Sequence, residues 1–219
     1  MARLRIKEIF RSVQGESTWA GWPCTFVRTV GCELRCVYCD EPHAFEGGES
    51  LEIEDILERV AELGVPLVEL TGGEPLQQRA LPALVKRLCD AGYQVLIETG
   101  GHRDISQVDP RARVILDVKT PGSGMLERND WQNLARLRPG DEIKLVLCDR
   151  ADYEWARALI RARDLPARDL PARAVVNLSP VHGALDPQDL VAWVLEDGLR
   201  VRVNLQLHKY IWGPDVRGV

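Results

Sequence analysis

The chain has 219 residues, of which 45 % are hydrophobic and 28 % charged, with a formal net charge of −5. That is the balance of a soluble globular protein, and the length suits one well-packed domain over residues 1–219 rather than two. The mild acidic excess gives no electrostatic reason to expect a nucleic-acid or membrane-surface partner. Residues 1–8 interleave charged and apolar side chains, unlike a secretory leader, and no run reaches the ~18 apolar residues of a membrane span. The expected compartment is the cytoplasm.

In chain order, a β-branched run predicts a strand over 25–30, followed by a loop over 31–46 that holds Gly31 and Pro42. After Ser50, Ile53, Ile56, Leu57 and Val60 form one helical stripe that ends near Gly64. A strand over 67–71 precedes a second helix with Leu81, Leu84, Val85, Leu88 and Cys89 at helical spacing. Further strands are expected over 94–99, 114–118, 142–147, 174–178 and 201–205, with helices over 149–163 and 187–196. Alternating strands and helices predict an α/β fold with a mainly parallel sheet and right-handed crossovers. The chain falls below the ~250 residues of a complete eight-fold barrel, so an open, partial barrel is expected. A pentapeptide beginning at Arg163 is repeated from Arg168 and reads as a surface connector.

The six cysteines are unevenly placed. In a reducing compartment they are not a disulfide framework. Cys24, Cys89 and Cys148 are scattered and read as structural, Cys89 lying on an apolar helical stripe. Cys32, Cys36 and Cys39 share one loop, where thiolates converge on a soft metal centre. A zinc site wants a fourth ligand, which His43 could supply at close quarters. An electron-transfer cluster also wants four cysteines, whereas three leave one iron of a cubane without a protein ligand. The four histidines show no pairing spacing of their own, and His208 reads chiefly as structural. Thr71-Gly72-Gly73-Glu74-Pro75 follows a strand; adjacent glycines allow close backbone approach, and Glu74 is an acceptor for an ammonium group.

The Cys-x3-Cys-x2-Cys loop followed by Gly-Gly-Glu resembles the signature of the radical S-adenosylmethionine (radical SAM) superfamily. Within it, residues 9–16 with Gln14-Gly15-Glu16, then Phe26-Val27-Arg28, Cys39-Asp40, Glu98-Thr99-Gly100, 117–121 and 205–209 resemble the 7-carboxy-7-deazaguanine synthase family nearly end to end. The resemblance implies a partial barrel of the radical SAM type. It also implies a carbon–nitrogen lyase of queuosine and 7-deazapurine biosynthesis, which contracts the ring of 6-carboxy-5,6,7,8-tetrahydropterin with loss of ammonia. The implied cofactors are a 4Fe–4S cluster on Cys32, Cys36 and Cys39, S-adenosylmethionine, and Mg2+. Tyr38, Cys39, Asp40, Gly73, Glu74, Asp117, Lys119 and Ser179 are the implied cofactor-binding residues. Val13, Gln14, Gly15, Arg28 and Thr71 are the implied substrate-binding ones, Arg28 through a fork suited to a carboxylate and Gln14 through a donor and an acceptor for a pterin edge. A homodimer, a flavodoxin- or ferredoxin-type electron donor, and a C-terminal segment 206–219 near the site are also implied. Two positions depart from the family pattern: Glu41 stands where a magnesium-binding Thr is usual, and Ser17 where Gly often follows the Gln-Gly-Glu triplet. The competing readings are a glycyl-radical-enzyme activase, which leaves Gln14–Glu16 and Arg28 unexplained, and a non-catalytic zinc or iron–sulfur module.

Overall fold

The computed structural model describes residues 2–165 and 174–219. Among these, nine strands form one sheet: β1 (Arg3–Val13), β2 (Pro23–Thr29), β3 (Glu49–Glu52), β4 (Leu67–Gly72), β5 (Gln94–Thr99), β6 (Arg113–Asp117), β7 (Glu142–Leu147), β8 (Val175–Pro180) and β9 (Arg202–Val203). Their spatial order is β3-β1-β2-β4-β5-β6-β7-β8-β9. From β2 to β9 the pairings are parallel, whereas β1 runs antiparallel to both β2 and β3. The first and last strands in this order are edges, so the sheet stays open, as the α/β partial-barrel expectation requires.

The helices are α1 (Ile53–Leu63), α2 (Leu81–Asp90), α3 (Asn133–Arg136), α4 (Arg150–Ala162), α5 (Pro187–Asp197) and α6 (Leu207–Ile211). Their ends are written locally. Glu52 and Asp55 form a capping box at the start of α1, and Gly64, at φ 67°, closes it in the left-handed conformation. Asp149 accepts from the Asp152 amide at the start of α4, and Asp186 from Gln188 ahead of Pro187 in α5.

Two strands lie outside the sequence expectation. In β1, Leu4 and Ile6 are buried while Arg3 and Arg5 face solvent. That is the period-two pattern of a sheet with one wet face; the flanking charges make it resemble a solvated terminus. β3 is a four-residue strand of mixed polarity paired to β1. The strand expected over 201–205 shortens to two paired residues at the sheet edge. The doubled pentapeptide lies, from residue 166 onward, outside the described residues.

Period two also builds the site. One set of alternate residues, including Val68, Leu70, Val95, Ile97, Val114 and Leu116, joins the main core with the helices. The other set begins apolar, with Cys24, Leu67, Leu96 and Ile115 in a second, smaller cluster. Two residues further along β4, β5 and β6, the same face turns polar: Glu69, Glu98 and Asp117. Lys144 of β7 continues the row, the register pairing Asp117 with Lys144.

Candidate active site

These polar strand ends open onto one cavity, the usual place for a site in a parallel α/β sheet. The cysteine loop leaves β2 through Gly31, at φ 97°, and the two-glycine turn after β4 is stitched beneath it. Gly73 donates its amide to the Thr29 carbonyl (3.2 Å) and Glu74 to Gly31 (2.7 Å). A Cβ on Gly73 would lie 2.1 Å from the Gly31 carbonyl oxygen, which leaves room only for glycine. Cys32, Cys36 and Cys39 are half-buried and border the cavity. Burial pushes all three thiols up, while the buried Lys119 ammonium acts in the opposite direction at Cys32 and Cys36.

Of the residues singled out in the sequence, Val13, Gln14, Gly15, Arg28, Tyr38, Asp40, Glu41, Thr71, Gly73, Asp117 and Lys119 border the same cavity. Glu74 and Ser179 are engaged elsewhere. The fully buried Glu74 carboxylate accepts from the Leu76 amide (3.0 Å), the Thr99 hydroxyl (2.8 Å) and the Gly100 amide (2.9 Å), fastening the turn after β4 to the end of β5. Ser179 is buried and accepts from the Asn204 amide at 3.3 Å.

Arg28 is gripped on two sides, 2.7 Å from Glu8 and 3.0 Å from Glu41. Burial, with Asp40 and Glu8 nearby, pushes the Glu41 carboxyl up to about 7 against the pull of Arg28. His43 joins this group rather than the cysteines, its ring nitrogens 3.0 Å from Glu41 and 3.5 Å from Glu8. The sequence offers His43 only as a possible fourth ligand of a competing zinc site and finds no pairing spacing for it; in the structure it sits with Glu41 and Glu8. Sequence spacing misses it because Glu8 arrives from the unexpected strand β1.

The C-terminal segment closes over the other side. Gln206 donates to Glu16 (2.6 Å) and to Asp40 (3.1 Å), Lys209 pairs with Asp40 at 2.7 Å, and the Leu207 amide donates to the Gly15 carbonyl (2.9 Å). Although burial opposes ionisation, Lys209 holds the Asp40 carboxyl down at about 2. His208 packs on Gly15 and borders the cavity, as do residues 216–219, so the structural reading of His208 is incomplete. Sequence reasoning gives no role to Glu16, Glu69, Glu98 or Lys144, yet all four border the cavity. The signal is present: Glu69 is the one charged residue of β4 and Glu98 of β5, and Lys144 of β7 stands between Ile143 and Leu145.

The donor sets fit the implied groups. Three thiols on one loop, beside a glycine strip that permits backbone approach, suit a cluster with an open iron and a small ligand. Glu8, Glu41 and His43 offer ligand atoms within 4.8 Å of one another, and Glu41 Oε2 and both His43 nitrogens are buried without hydrogen-bond partners. Two carboxylates and an imidazole accept a divalent cation.

Comparison with known proteins agrees. The Radical SAM superfamily profile matches residues 26–120. The 7-carboxy-7-deazaguanine synthase of Chlorobaculum tepidum is 46 % identical over 221 residues, covering 100 % of this chain and 98 % of the relative. That of Koribacter versatilis is 46 % identical over 228 residues, covering 99 % and 100 %. The crystal structure of QueE from Escherichia coli superposes with a TM-score of 0.75 at 26 % identity, covering 94 % of this chain and 95 % of that one.

Proposed function

The chain belongs to the 7-carboxy-7-deazaguanine synthases of the radical SAM superfamily, and from that membership we infer that it converts 6-carboxy-5,6,7,8-tetrahydropterin to 7-carboxy-7-deazaguanine with loss of ammonia. The observation that carries the inference is convergence: the three-cysteine loop, Gln14–Gly15, Arg28 and Thr71 border one cavity in a chain alignable end to end with that family. A glycyl-radical activase and a zinc module are not favoured by any of these findings.

Cys32, Cys36 and Cys39 would hold the cluster. When bound, the cluster and S-adenosylmethionine supply an adenosyl radical able to take hydrogen from the substrate carbon that bears the carboxylate. Gly73 keeps the backbone low beside the cysteine loop, and Tyr38 to Asp40 with Asp117–Lys119 line the cofactor side. Arg28, adjacent to Thr71 in the sheet register, presents the charge that binds the substrate carboxylate; Glu8 and Glu41 fix its plane before substrate arrives. Glu41, with Glu8 and His43 beside it, would hold a magnesium ion, whose charge would offset the negative charge brought together there. The Gln206–Lys209 clasp on Glu16 and Asp40 covers the cavity and limits water. The family resemblance supports a homodimer and a flavodoxin- or ferredoxin-type donor, and the composition supports a cytoplasmic setting. Among the described residues no helix is long and apolar enough to cross a membrane.

The test is stoichiometric. Anaerobically reconstituted protein, given reductant, S-adenosylmethionine and 6-carboxytetrahydropterin, should release ammonia and 7-carboxy-7-deazaguanine in equal amounts without net consumption of S-adenosylmethionine. Ammonia without the deazaguanine would refute the assignment.

A further inference from the structure

Glu41 is the residue that the family resemblance links to a metal, and the fold sets a histidine beside it. Pro42 opens a short 3-10 turn over Pro42–Phe45. Within it Ala44 donates its amide to the Glu41 carbonyl (3.0 Å), and its own carbonyl accepts from the Gly31 amide (2.8 Å). Ala44 is fully buried. The turn therefore holds Glu41 and His43 together and ties both to the start of the cysteine loop.

The polar atoms around His43 are then fixed one by one. Glu41 Oε1 faces Arg28 Nη2 at 3.0 Å, while Glu41 Oε2 lies 3.0 Å from His43 Nδ1. On the far side of the ring, Nε2 lies 3.5 Å from Glu8 Oε1, an oxygen gripped by Arg28 Nε at 2.7 Å. Glu8 arrives there because β1 pairs it with Arg28, just after a register shift between Ile6 and Glu8. An imidazolium ion pair does not account for the arrangement. Glu41 Oε2 and both ring nitrogens are buried yet make no aligned hydrogen bond, and burial holds the pKa of His43 below the ordinary histidine value. An unprotonated ring nitrogen and a carboxylate oxygen are both acceptors, and at 3.0 Å they repel unless a cation lies between them.

The spacing is that of a metal-bound histidine. Adjacent donors on an octahedral ion, each about 2.1 Å from it, stand about 3 Å apart. The second ring nitrogen faces a carboxylate, the usual outer partner that orients a ligating imidazole. The donor set also mixes nitrogen with oxygen. Magnesium favours oxygen and keeps several waters, whereas imidazole suits first-row transition-metal ions.

We propose that Glu41 Oε2 and His43 Nδ1 are adjacent ligands of one divalent ion, that Glu8 orients the imidazole from outside, and that the imidazole makes the site prefer a first-row transition-metal ion to magnesium. The proposal rests on the reading of Glu41 as a metal residue and names the ion that reading calls for. Manganese is the probe. It binds most weakly of the first-row series, so a preference for it over magnesium is a lower bound.

The test is manganese binding to anaerobically reconstituted protein with its cluster left oxidised and diamagnetic, read by electron paramagnetic resonance. Wild type should bind one Mn2+ per chain, with electron spin-echo modulation from a directly bound imidazole nitrogen. Growth on nitrogen-15 histidine should change that modulation without any substitution in the chain. Magnesium competition should show a preference for manganese of about 100-fold, which His43→Gln, compared on chains that retain the cluster, should cut by at least about 10-fold. Bound manganese whose modulation ignores the histidine label, or a preference unchanged in His43→Gln, overturns the proposal and leaves the metal role of Glu41 intact. Wild type that binds no manganese and no magnesium overturns both, while the assignment of the reaction, tested by its products, stands apart.

Discussion

Arg28 Nη2 stands 3.0 Å from Glu41 Oε1, so the cation that meets the substrate carboxylate is itself held by a carboxylate. Two unit charges about 4 Å apart interact by about 4 kcal/mol at an effective dielectric near 20. The added anion at Glu41 therefore repels substrate unless a divalent cation intervenes. Chelation of magnesium should lower wild-type turnover at least about 10-fold, and Glu41→Thr should reduce that sensitivity to under about 3-fold. Turnover measured across a magnesium titration checks this; equal sensitivity of the two proteins would show that Glu41 does not face the metal.

Gly73→Ala places a methyl group 2.1 Å from the Gly31 carbonyl oxygen. Backbone cannot yield as a flexible side chain does, and such overpacking costs about 1–3 kcal/mol. Because Gly31 begins the cysteine loop, the displacement should appear as lost iron as well as lost stability. Iron per chain after anaerobic reconstitution should fall well below wild type; full loading would mean the loop tolerates the shift.

Lys144 is buried between Glu16, Glu98 and Asp117. Replacing it with Met removes the cation and leaves carboxylates desolvated, a loss of about 3–5 kcal/mol. The denaturant midpoint of Lys144→Met should drop accordingly, and adding Glu98→Gln should recover part of the loss. A drop below about 1 kcal/mol would show that water already solvates the group.

Ser17 adopts φ 64°, the left-handed region that favours glycine, and its hydroxyl accepts from the Trp19 amide at 3.1 Å. The strain of about 1 kcal/mol is partly offset by that hydrogen bond. Ser17→Ala, which keeps the strain and loses the bond, should destabilise by about 1 kcal/mol; Ser17→Gly, which loses both, should lie closer to wild type. The reverse order in chemical denaturation would contradict this account.

Much of this site is legible in sequence because its chemistry is local. Cys32, Cys36, Cys39 and Gly73 lie in loops whose spacing alone implies a soft metal centre and a close backbone approach. Helix α1 is equally plain, with its Ile53–Ile56–Val60 stripe and Gly64 stop. What escapes is non-local. Glu8 reaches Arg28 only because β1 pairs with β2, and the charge density of β1 hides its alternation. Glu69, Glu98 and Lys144 come from three strands, and only the sheet register brings them together. Gln14 shows the limit most sharply: the sequence marks it as important, and only the fold shows that its amide is spent on Glu69 and Glu16.

The measurement closest to the central claim is anaerobic reconstitution of wild type beside Cys32→Ala, followed by supply of 6-carboxytetrahydropterin, S-adenosylmethionine and reductant. Wild type should be brown, bind close to four irons per chain as a cubane on three thiolates requires, and form 7-carboxy-7-deazaguanine. Cys32→Ala should do neither. A colourless, zinc-loaded wild type that leaves the pterin unchanged would contradict the account at its root.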